Sequence, residues 1–332
     1  MTTQAEGPLV LGIDLGGTKI LAAVVDAEHR ILGRAKEATP AREGGAALQD
    51  ALIEAGRNAL TAAGLEPSNI EALGIGSPGP LDVEAGIIRS SPNLNVVDFP
   101  LKETLHQAFG VPVAVQNDVR AGGYGEFMLG AGRGYRDIVA AFVGTGIGGC
   151  LIRDGAIVSG ITGNAGEIGH LIVKANGPKC GCGRRGCLEA VASRTAITRR
   201  IHKAIKKGAS TPLREVVRNK NSRLKSKELS NAYRSGDPVA VHEVERAARF
   251  IGLALGSLIN VLGPEIVIIG GGVTEAIGSP FVELVRNAAR GQAMADPDRR
   301  VHIEQAELGD DAGVLGASLI ARERYLSAPS LT

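Results

Sequence analysis

The stretch LVLGIDLGGTKILAAVV (residues 9–25) predicts two apolar strands joined by a tight glycine turn. A second stretch, IVAAFVGTGIGGCLI (residues 138–152), repeats this order of strand, glycine-rich turn and strand. Because the two stretches lie about 130 residues apart, they predict a duplicated architecture with one lobe on each side of a cleft.

Apolar spacing elsewhere makes strands and helices alternate, which predicts an α/β fold with mixed sheets. Asp237 and Pro238 begin a long helix, as N-cap residue and first-turn proline, and Gly263-Pro264 ends it. The remaining predicted elements are helices over 46–63 and 312–325 and strands over 70–75, 111–115 and 266–269.

Composition excludes several classes of protein. The 332 residues suffice for two domains, and the 44% hydrophobic and 22% charged content is that of a globular chain. Aromatic residues make up only 3% and Trp is absent, which argues against an aromatic platform for bases or sugars. A net charge of +2 argues against a dedicated nucleic-acid binder.

Positive charge is concentrated in residues 199–227, which hold eleven Lys or Arg and a single acid, Glu215. The rest of the chain is therefore acidic. We interpret the basic stretch as a solvated helix-and-loop surface, with a patch for an anionic partner as the alternative.

No stretch of the sequence predicts a membrane span or a secretory signal. Uncharged apolar runs such as 138–152 are broken by glycine and shorter than the ~20 residues that a span needs. No Lys or Arg precedes the first apolar run, as a signal peptide would require. The sequence therefore predicts a cytoplasmic protein without a membrane partner.

The first glycine turn, Asp14-Leu15-Gly16-Gly17-Thr18-Lys19, places an acid at the end of a strand before a hydroxyl and an amine. Backbone N–H groups of Gly16, Gly17 and Thr18 can cradle phosphate oxygens, and Asp14 can hold Mg²⁺ directly or through water. The turn is not a Walker A loop, because GxxxxGK[ST] is absent. A plain hairpin turn is the alternative.

Two further glycine clusters follow strands. Gly144, Thr145 and Gly146 open a GxGxxG pattern, but a strand follows where a dinucleotide site requires a helix, so we reject that interpretation. Gly270, Gly271 and Gly272 follow the strand over 266–269. The three clusters together could surround one nucleotide, two at its phosphates and one at its adenosine.

Asn117 and Asp118 follow the strand over 111–115. A carboxylate at this position can accept the proton of an attacking hydroxyl, which Asn117 would orient. A capping Asx turn is the alternative, with about equal support from the local sequence.

The pattern His170-x9-Cys180-x-Cys182-x4-Cys187 predicts a closed tetrahedral zinc site with one imidazole and three thiolates. A disulfide is disfavoured, because cytosolic thiols stay reduced and one of the three would remain unpaired. We interpret Cys150 as a small buried apolar residue.

Glu167 and Glu189 flank this pattern in sequence. Carboxylates near a metal loop are good acceptors for vicinal sugar hydroxyls. Support of the metal ligands or plain surface charge is the alternative.

Taken together, these residues resemble the ROK family of repressors and sugar kinases, and within it the bacterial glucokinases. The matching motifs occur in one order over most of the chain and are specific as a set. They are LGIDLGGTK (11–19), GIGSPGPLD (74–82), SPNL (91–94), QNDVRAGGYGE (116–126), VGTGIGGC (143–150), GNAGEIGHLIV (163–173), CGCGRRGCLEA (180–190) and IIGGGV (268–273).

The resemblance implies an actin-like ATPase (ribonuclease H-like) fold, with two domains of mixed sheet flanked by helices around a cleft. It implies a small α/β domain of residues 1–118 plus 312–332. The large α/β domain would be residues 119–311, with the zinc loop at 170–187.

The resemblance also implies a glucokinase activity, in which the γ-phosphoryl group of MgATP is transferred to the 6-hydroxyl of glucose. Asp118 would be the general base. The sugar would be bound by Gly79, Asn93, Asn117, Asp118, Glu167, His170 and Glu189.

Other activities within the family stay open at this point. A kinase for fructose, mannose, N-acetylglucosamine or N-acetylmannosamine would use the same residues, and the basic stretch is compatible with polyphosphate as donor. A sugar-responsive repressor is disfavoured, because only 13 residues precede Asp14. The resemblance implies a homodimer or homotetramer.

Overall fold

The computed structural model describes residues 7–91, 93–219, 221–294 and 301–326. Pro92 of the SPNL motif, Lys220 of the basic stretch and residues 327–332 of the expected small domain lie outside these ranges.

Thirteen strands are found within the described ranges. They are β1 (Leu9–Leu15), β2 (Lys19–Val25), β3 (Ile31–Ala38), β4 (Ile70–Ser77), β5 (Leu81–Asp82), β6 (Ile87–Ser91), β7 (Val96–Phe99), β8 (Val113–Asn117), β9 (Ile138–Val143), β10 (Ile147–Arg153), β11 (Ala156–Ile157), β12 (Ile266–Gly270) and β13 (His302–Gln305).

Ten α-helices are found in the same described part of the chain. They are α1 (Gly45–Ala62), α2 (Leu101–Phe109), α3 (Asp118–Leu129), α4 (Leu188–Ala192), α5 (Arg194–Lys206), α6 (Ser226–Arg234), α7 (Pro238–Leu262), α8 (Gly272–Ile277), α9 (Ser279–Gln292) and α10 (Ala312–Tyr325).

The chain divides into two compact units. Unit 1 comprises the residues up to Gly130, Gly160–Gly163 and those from Asp310 onward, and unit 2 the residues between. Unit 1 therefore extends beyond the expected boundary at residue 118, because α3 packs against α10.

The two five-stranded sheets share one topology. Unit 1 has the order β3-β2-β1-β4-β8 and unit 2 the order β11-β10-β9-β12-β13. In each, the central strand pairs antiparallel with the next strand of its hairpin and parallel with a later strand. The predicted duplication and the α/β class with mixed sheets are confirmed. A three-stranded sheet, β5-β6-β7, completes unit 1.

The C-terminal helix α10 lies on the sheet of unit 1, against β1 and β4. Gly12 and Gly74 permit this close approach, because a Cβ atom at either position would overlap a carbonyl oxygen of α10. On the other face, α1 packs against β2 and β3. Burial of both faces explains why β1 and β2 are nearly continuous apolar runs.

Helix α7 begins and ends where the sequence predicts. The Asp237 side chain accepts hydrogen bonds from the Ala240 N–H (2.8 Å) and the Thr211 hydroxyl (2.9 Å). At the other end, Gly263 adopts the left-handed conformation with φ 55°. The helix packs against α4, α5 and α9 and forms part of the core of unit 2.

None of the described helices combines the length and the apolar character needed to cross a bilayer.

Candidate active site and metal centre

The first glycine turn connects β1 to β2 in unit 1. The Gly16 N–H donates to the Lys19 carbonyl (2.9 Å), and the Thr39 hydroxyl donates to the Gly16 carbonyl (2.7 Å). Gly17 and Thr18 are exposed at the tip of this turn. The turn is thus a tight hairpin, as the plain-hairpin interpretation predicts. It also exposes backbone to solvent, as a phosphate-binding turn would.

Asp14 lies at the end of β1 and its carboxyl group is electrostatically unusual. Burial, together with the neighbouring Asp118 carboxylate, raises the pKa of Asp14 to about 7. The Lys19 ammonium opposes this rise, but it is paired with Asp310 (Nζ to Oδ1, 2.6 Å). A carboxyl group in this state gains most from a nearby cation.

Asn117 and Asp118 form the junction between β8 and α3. Asn117 is the N-cap residue of α3, and its Oδ1 accepts from the Arg120 N–H (3.2 Å). The Asp118 Oδ1 accepts from Asn117 Nδ2 and from the Val119 N–H, both at 2.9 Å. The capping interpretation is therefore confirmed, and the same contacts fix the orientation of the Asp118 carboxylate.

The two other expected sugar-side residues of unit 1 lie in loops. Gly79 lies two residues after the end of β4 and precedes Pro80 across a cis peptide bond. Asn93 is exposed in the turn between β6 and β7.

In unit 2, the predicted metal ligands His170, Cys180, Cys182 and Cys187 come together. One ligand atom from each lies within 4.8 Å of all the others. His170 Nδ1 is 3.7 Å from Cys180 Sγ, and Cys182 Sγ is 3.6 Å from Cys187 Sγ. Zinc–sulfur bonds of ~2.3 Å in tetrahedral geometry require ligand separations of about 3.8 Å. The donor set and its spacing fit Zn²⁺.

The backbone of the loop is folded tightly around these ligands. The Cys180 N–H donates to the Arg184 carbonyl (2.8 Å), and Cys187 forms a bridge with Ile172. Gly186 has φ 81°, and a Cβ atom there would overlap the Lys174 carbonyl oxygen. Only glycine satisfies both conditions.

Without a bound cation, the three thiols of this loop differ in the direction of their pKa shifts. Burial raises the pKa of Cys180 to about 12 and also raises the pKa of Cys187. The exposed Cys182 has a lowered pKa, because its sulfur accepts from the Arg184 N–H. A bound divalent cation would favour all three thiolates.

The loop leads directly into the helix that carries Glu189. Cys187 is the N-cap residue of α4, and Glu189 lies in its first turn. Its Oε2 accepts from the Ile147 N–H (3.2 Å), which follows the second glycine cluster. Glu167 is exposed just before a short 3₁₀ turn that ends at His170.

The second and third glycine clusters are bordered by helix α5. The Arg194 and Thr195 N–H groups at its start donate to the carbonyls of Gly144 (3.0 Å) and Thr145 (3.4 Å). Gly270 ends β12, Gly271 is the N-cap residue of α8 and Gly272 begins that helix. The third cluster thus starts a helix, unlike the first two.

Two charged residues near these loops were missed by the sequence analysis. Asp310 pairs with Lys19 although the two are distant in sequence. The Arg194 guanidinium donates to the hydroxyls of Thr145 and Ser226, both at 2.7 Å. No local sequence signal marks either contact.

The sequence profile of the ROK family matches residues 10–324 of this chain. The chain belongs to the ROK family. A curated relative is the glucokinase of Thermotoga maritima, which is 37% identical over 95% of this chain and 98% of its own length.

Two solved ROK structures resemble the chain closely. One is a ROK glucokinase from Streptomyces griseus in complex with glucose and AMPPNP, with a TM-score of 0.82, 36% identity and coverage of 95% of this chain and 99% of that chain. The other is a ROK transcriptional regulator, a homologue of the E. coli MLC protein, with a TM-score of 0.83, 27% identity and coverage of 97% and 79%. The expected actin-like ATPase fold is confirmed by these ROK neighbours.

Proposed function

We propose that this ROK protein is a glucokinase that transfers the γ-phosphoryl group of MgATP to the 6-hydroxyl of glucose. The observation that carries the proposal is that Asp118, with its carboxylate held in one orientation, neighbours Asp14 of the glycine turn. The choice of glucose and ATP is supported by the glucokinase relatives and by the glucose and AMPPNP in the S. griseus structure.

Asp118 would act as the general base. Phosphoryl transfer has a loose transition state, so positioning and charge neutralisation contribute most of the rate. Asn117 Nδ2 and the Val119 N–H fix Asp118 Oδ1, so the carboxylate would need no rearrangement to accept a proton. The proton is taken late, when the attacking oxygen has become acidic.

The phosphate groups of the donor would lie against the glycine clusters. The exposed residues Gly17 and Thr18, with the half-buried Gly16 and Lys19, would bind them in unit 1, and Gly144, Thr145 and Gly146 in unit 2. Gly270, Gly271 and Gly272 would border the adenosine. Asp14 would hold Mg²⁺, directly or through water, and this ion neutralises phosphate charge when bound.

The sugar would be bound by Glu167, His170 and Glu189 of unit 2 and by Gly79, Asn93, Asn117 and Asp118 of unit 1. His170 Nδ1 faces Cys180 Sγ, so Nδ1 would be the zinc ligand and Nε2 the nitrogen for a hydroxyl. Zn²⁺ at His170, Cys180, Cys182 and Cys187 would be structural, since four protein ligands leave no open position.

The remaining expectations also belong to this proposal. A thiolate site of this kind suits a reducing compartment, which supports the cytoplasm. A homodimer or homotetramer that binds no nucleic acid stays a prediction.

The test is an ADP-release assay with MgATP, a panel of hexoses and a blank without sugar. Strong turnover with glucose, reduced about 100-fold or more in Asp118→Asn, is expected from the loss of a general base. Asp98→Asn, which removes an exposed carboxylate paired with Arg89, is the matched control and should leave turnover unchanged.

Other outcomes distinguish the alternatives. Turnover with a different hexose would keep the mechanism and change the substrate. Turnover only with polyphosphate would change the donor. Sugar binding without turnover with any donor would overturn the kinase proposal and favour the regulator.

A further inference from the structure

Arg194 is a half-buried cation whose guanidinium has two hydroxyl partners. It is the first residue of α5, after the N-cap residue Ser193. Its Nη2 donates to Thr145 Oγ1 and its Nη1 to Ser226 Oγ, both at 2.7 Å. These two bonds place the guanidinium at the second glycine cluster and at the start of α6.

The charge of Arg194 has no acidic counterpart in the part of the chain that the structure describes. Among the described residues, no carboxylate lies within ion-pairing distance of its guanidinium, unlike Arg200, which pairs with Glu243. Burial lowers the pKa of Arg194. Partial removal of an unpaired cation from water is unfavourable unless an anion binds there.

The surroundings of Arg194 bring the third glycine cluster close and supply further positive charge. Gly272, the first residue of α8, carries no side chain, and a Cβ atom there would lie 4.0 Å from Arg194 Nη1 and 3.3 Å from Ser226 Oγ. Arg194 thus lies where the second and third glycine clusters approach each other. The neighbouring Lys225 and Lys227 are exposed and add positive charge.

The position of the guanidinium is fixed before any ligand binds. The Arg194 N–H donates to the Gly144 carbonyl (3.0 Å), and the Thr195 hydroxyl donates to the Thr145 carbonyl (2.7 Å). The side chain and the glycine loop therefore form one rigid part of unit 2. A preorganised guanidinium loses little conformational freedom on binding, which suits recognition of a phosphate group.

We propose that Arg194, with the hydroxyls of Thr145 and Ser226, forms a subsite for the phosphate chain of the phosphoryl donor. Its planar N–H donors match the geometry of phosphate oxygens, and charge-assisted bonds of this kind are strong. The subsite deepens the proposed function, on which it rests for the nature of the donor. A nucleoside triphosphate and an inorganic polyphosphate present the same chemistry to it.

The test is calorimetric binding of MgADP, which requires no knowledge of the sugar. Arg194→Gln should weaken MgADP binding roughly tenfold to hundredfold, as expected for a lost charge-assisted bond. Arg194→Lys should bind MgADP with intermediate affinity, because it keeps the positive charge but loses the planar guanidinium with its several N–H donors. Adenosine should bind equally well to wild type and Arg194→Gln, since it lacks the phosphate.

The matched control is Lys203→Gln, which removes a positive charge from an exposed position of the same helix. It should bind MgADP as the wild type does. An equal loss of affinity in this control would assign the effect to general electrostatics and overturn the subsite.

Tripolyphosphate binding forms the second arm of the experiment. Binding of tripolyphosphate but not of MgADP by the wild type would contradict the proposed ATP-dependent function. Weaker binding of tripolyphosphate by Arg194→Gln would still support the subsite in that case. Unchanged affinity of Arg194→Gln for both ligands overturns the proposal. Equal weakening for adenosine and MgADP also overturns it, since Arg194 would then support the loop alone.

Discussion

The Oε1 atom of Glu189 lies 3.7 Å from the Sγ atom of Cys180. The other carboxylate oxygen of Glu189 accepts from the Ile147 N–H, next to the second glycine cluster. One side chain thus contacts the metal loop and the start of β10. Its position depends on the metal loop, because Cys187 is the N-cap residue of the short helix α4 on which Glu189 lies.

Glu189→Gln should raise the KM for glucose by roughly tenfold or more, because a charged acceptor for a sugar hydroxyl is lost. The zinc content should stay at one ion per chain, since the four ligands are intact. Steady-state kinetics and metal analysis on the same preparation measure both. Glu215→Gln, at an exposed position, should change neither, and an unaltered KM in Glu189→Gln would remove Glu189 from the sugar site.

Cys182→Ala should abolish stoichiometric zinc binding, because three ligands seldom retain a structural ion. We expect a lower Tm and, through Glu189, a higher KM for glucose. Elemental analysis and a thermal melt provide the readouts. Cys150→Ala, a buried cysteine of β10 outside the cluster, should keep its zinc. Full zinc occupancy in Cys182→Ala would refute the four-ligand assignment.

Gly186→Ala and Gly181→Ala test the folding of the metal loop within the same motif. A Cβ atom at Gly186 would overlap the Lys174 carbonyl oxygen at φ 81°, whereas one at Gly181 would have no atom within 4 Å. We expect Gly186→Ala to lose zinc or unfold at a temperature several degrees lower. Gly181→Ala should resemble the wild type, and equal behaviour of the two variants would contradict this geometry.

Because of Asp14, the free energy of unfolding should decrease as the pH rises from about 4 to about 7. Its pKa is 3.8 unperturbed and about 7 in the folded protein, so the folded state holds the extra proton over this range. Without added magnesium or nucleotide, Asp14→Asn should be more stable than the wild type above pH 7, by at most about 4 kcal/mol. The difference should shrink toward pH 4.

Denaturant unfolding at several pH values measures this difference. The exposed Asp50 of α1 supplies the control, since Asp50→Asn should follow the wild type at every pH. A constant difference between Asp14→Asn and the wild type across the range would mean that Asp14 does not titrate there.

Local chemistry predicted much of the fold. Helix α7 begins after Asp237 and ends before Gly263, as expected, because helix caps depend on only a few neighbouring residues. The strand predicted over 111–115 starts at Val113 instead, since Pro112 has no N–H for a sheet ladder. Strand β10 starts at Ile147, within the stretch predicted to be a glycine-rich turn, because Gly148 and Gly149 pair with Phe142 and Ala141 despite their turn-like composition.

The candidate site was predictable where its residues are close in sequence. The metal ligands lie within one loop, and their spacing alone indicated the ion. Lys19 with Asp310, and Arg194 with Thr145 and Ser226, are brought together only by the tertiary fold. The Asn117-Asp118 pair shows a third case, in which the helix cap and the proposed general base are neighbouring residues.

Helix α10 has a consequence for how the protein is made. The helix covers β1 and β4 and supplies Ala321 to a small core with Val10, Ala72 and Ala114. The ribosome therefore synthesises the whole of unit 2 before helix α10 of unit 1 emerges from it. Until then one face of the first sheet stays uncovered, so a chain stopped at Gly309 should bind a hydrophobic dye, and the earliest strands to be translated should be among the last to be protected.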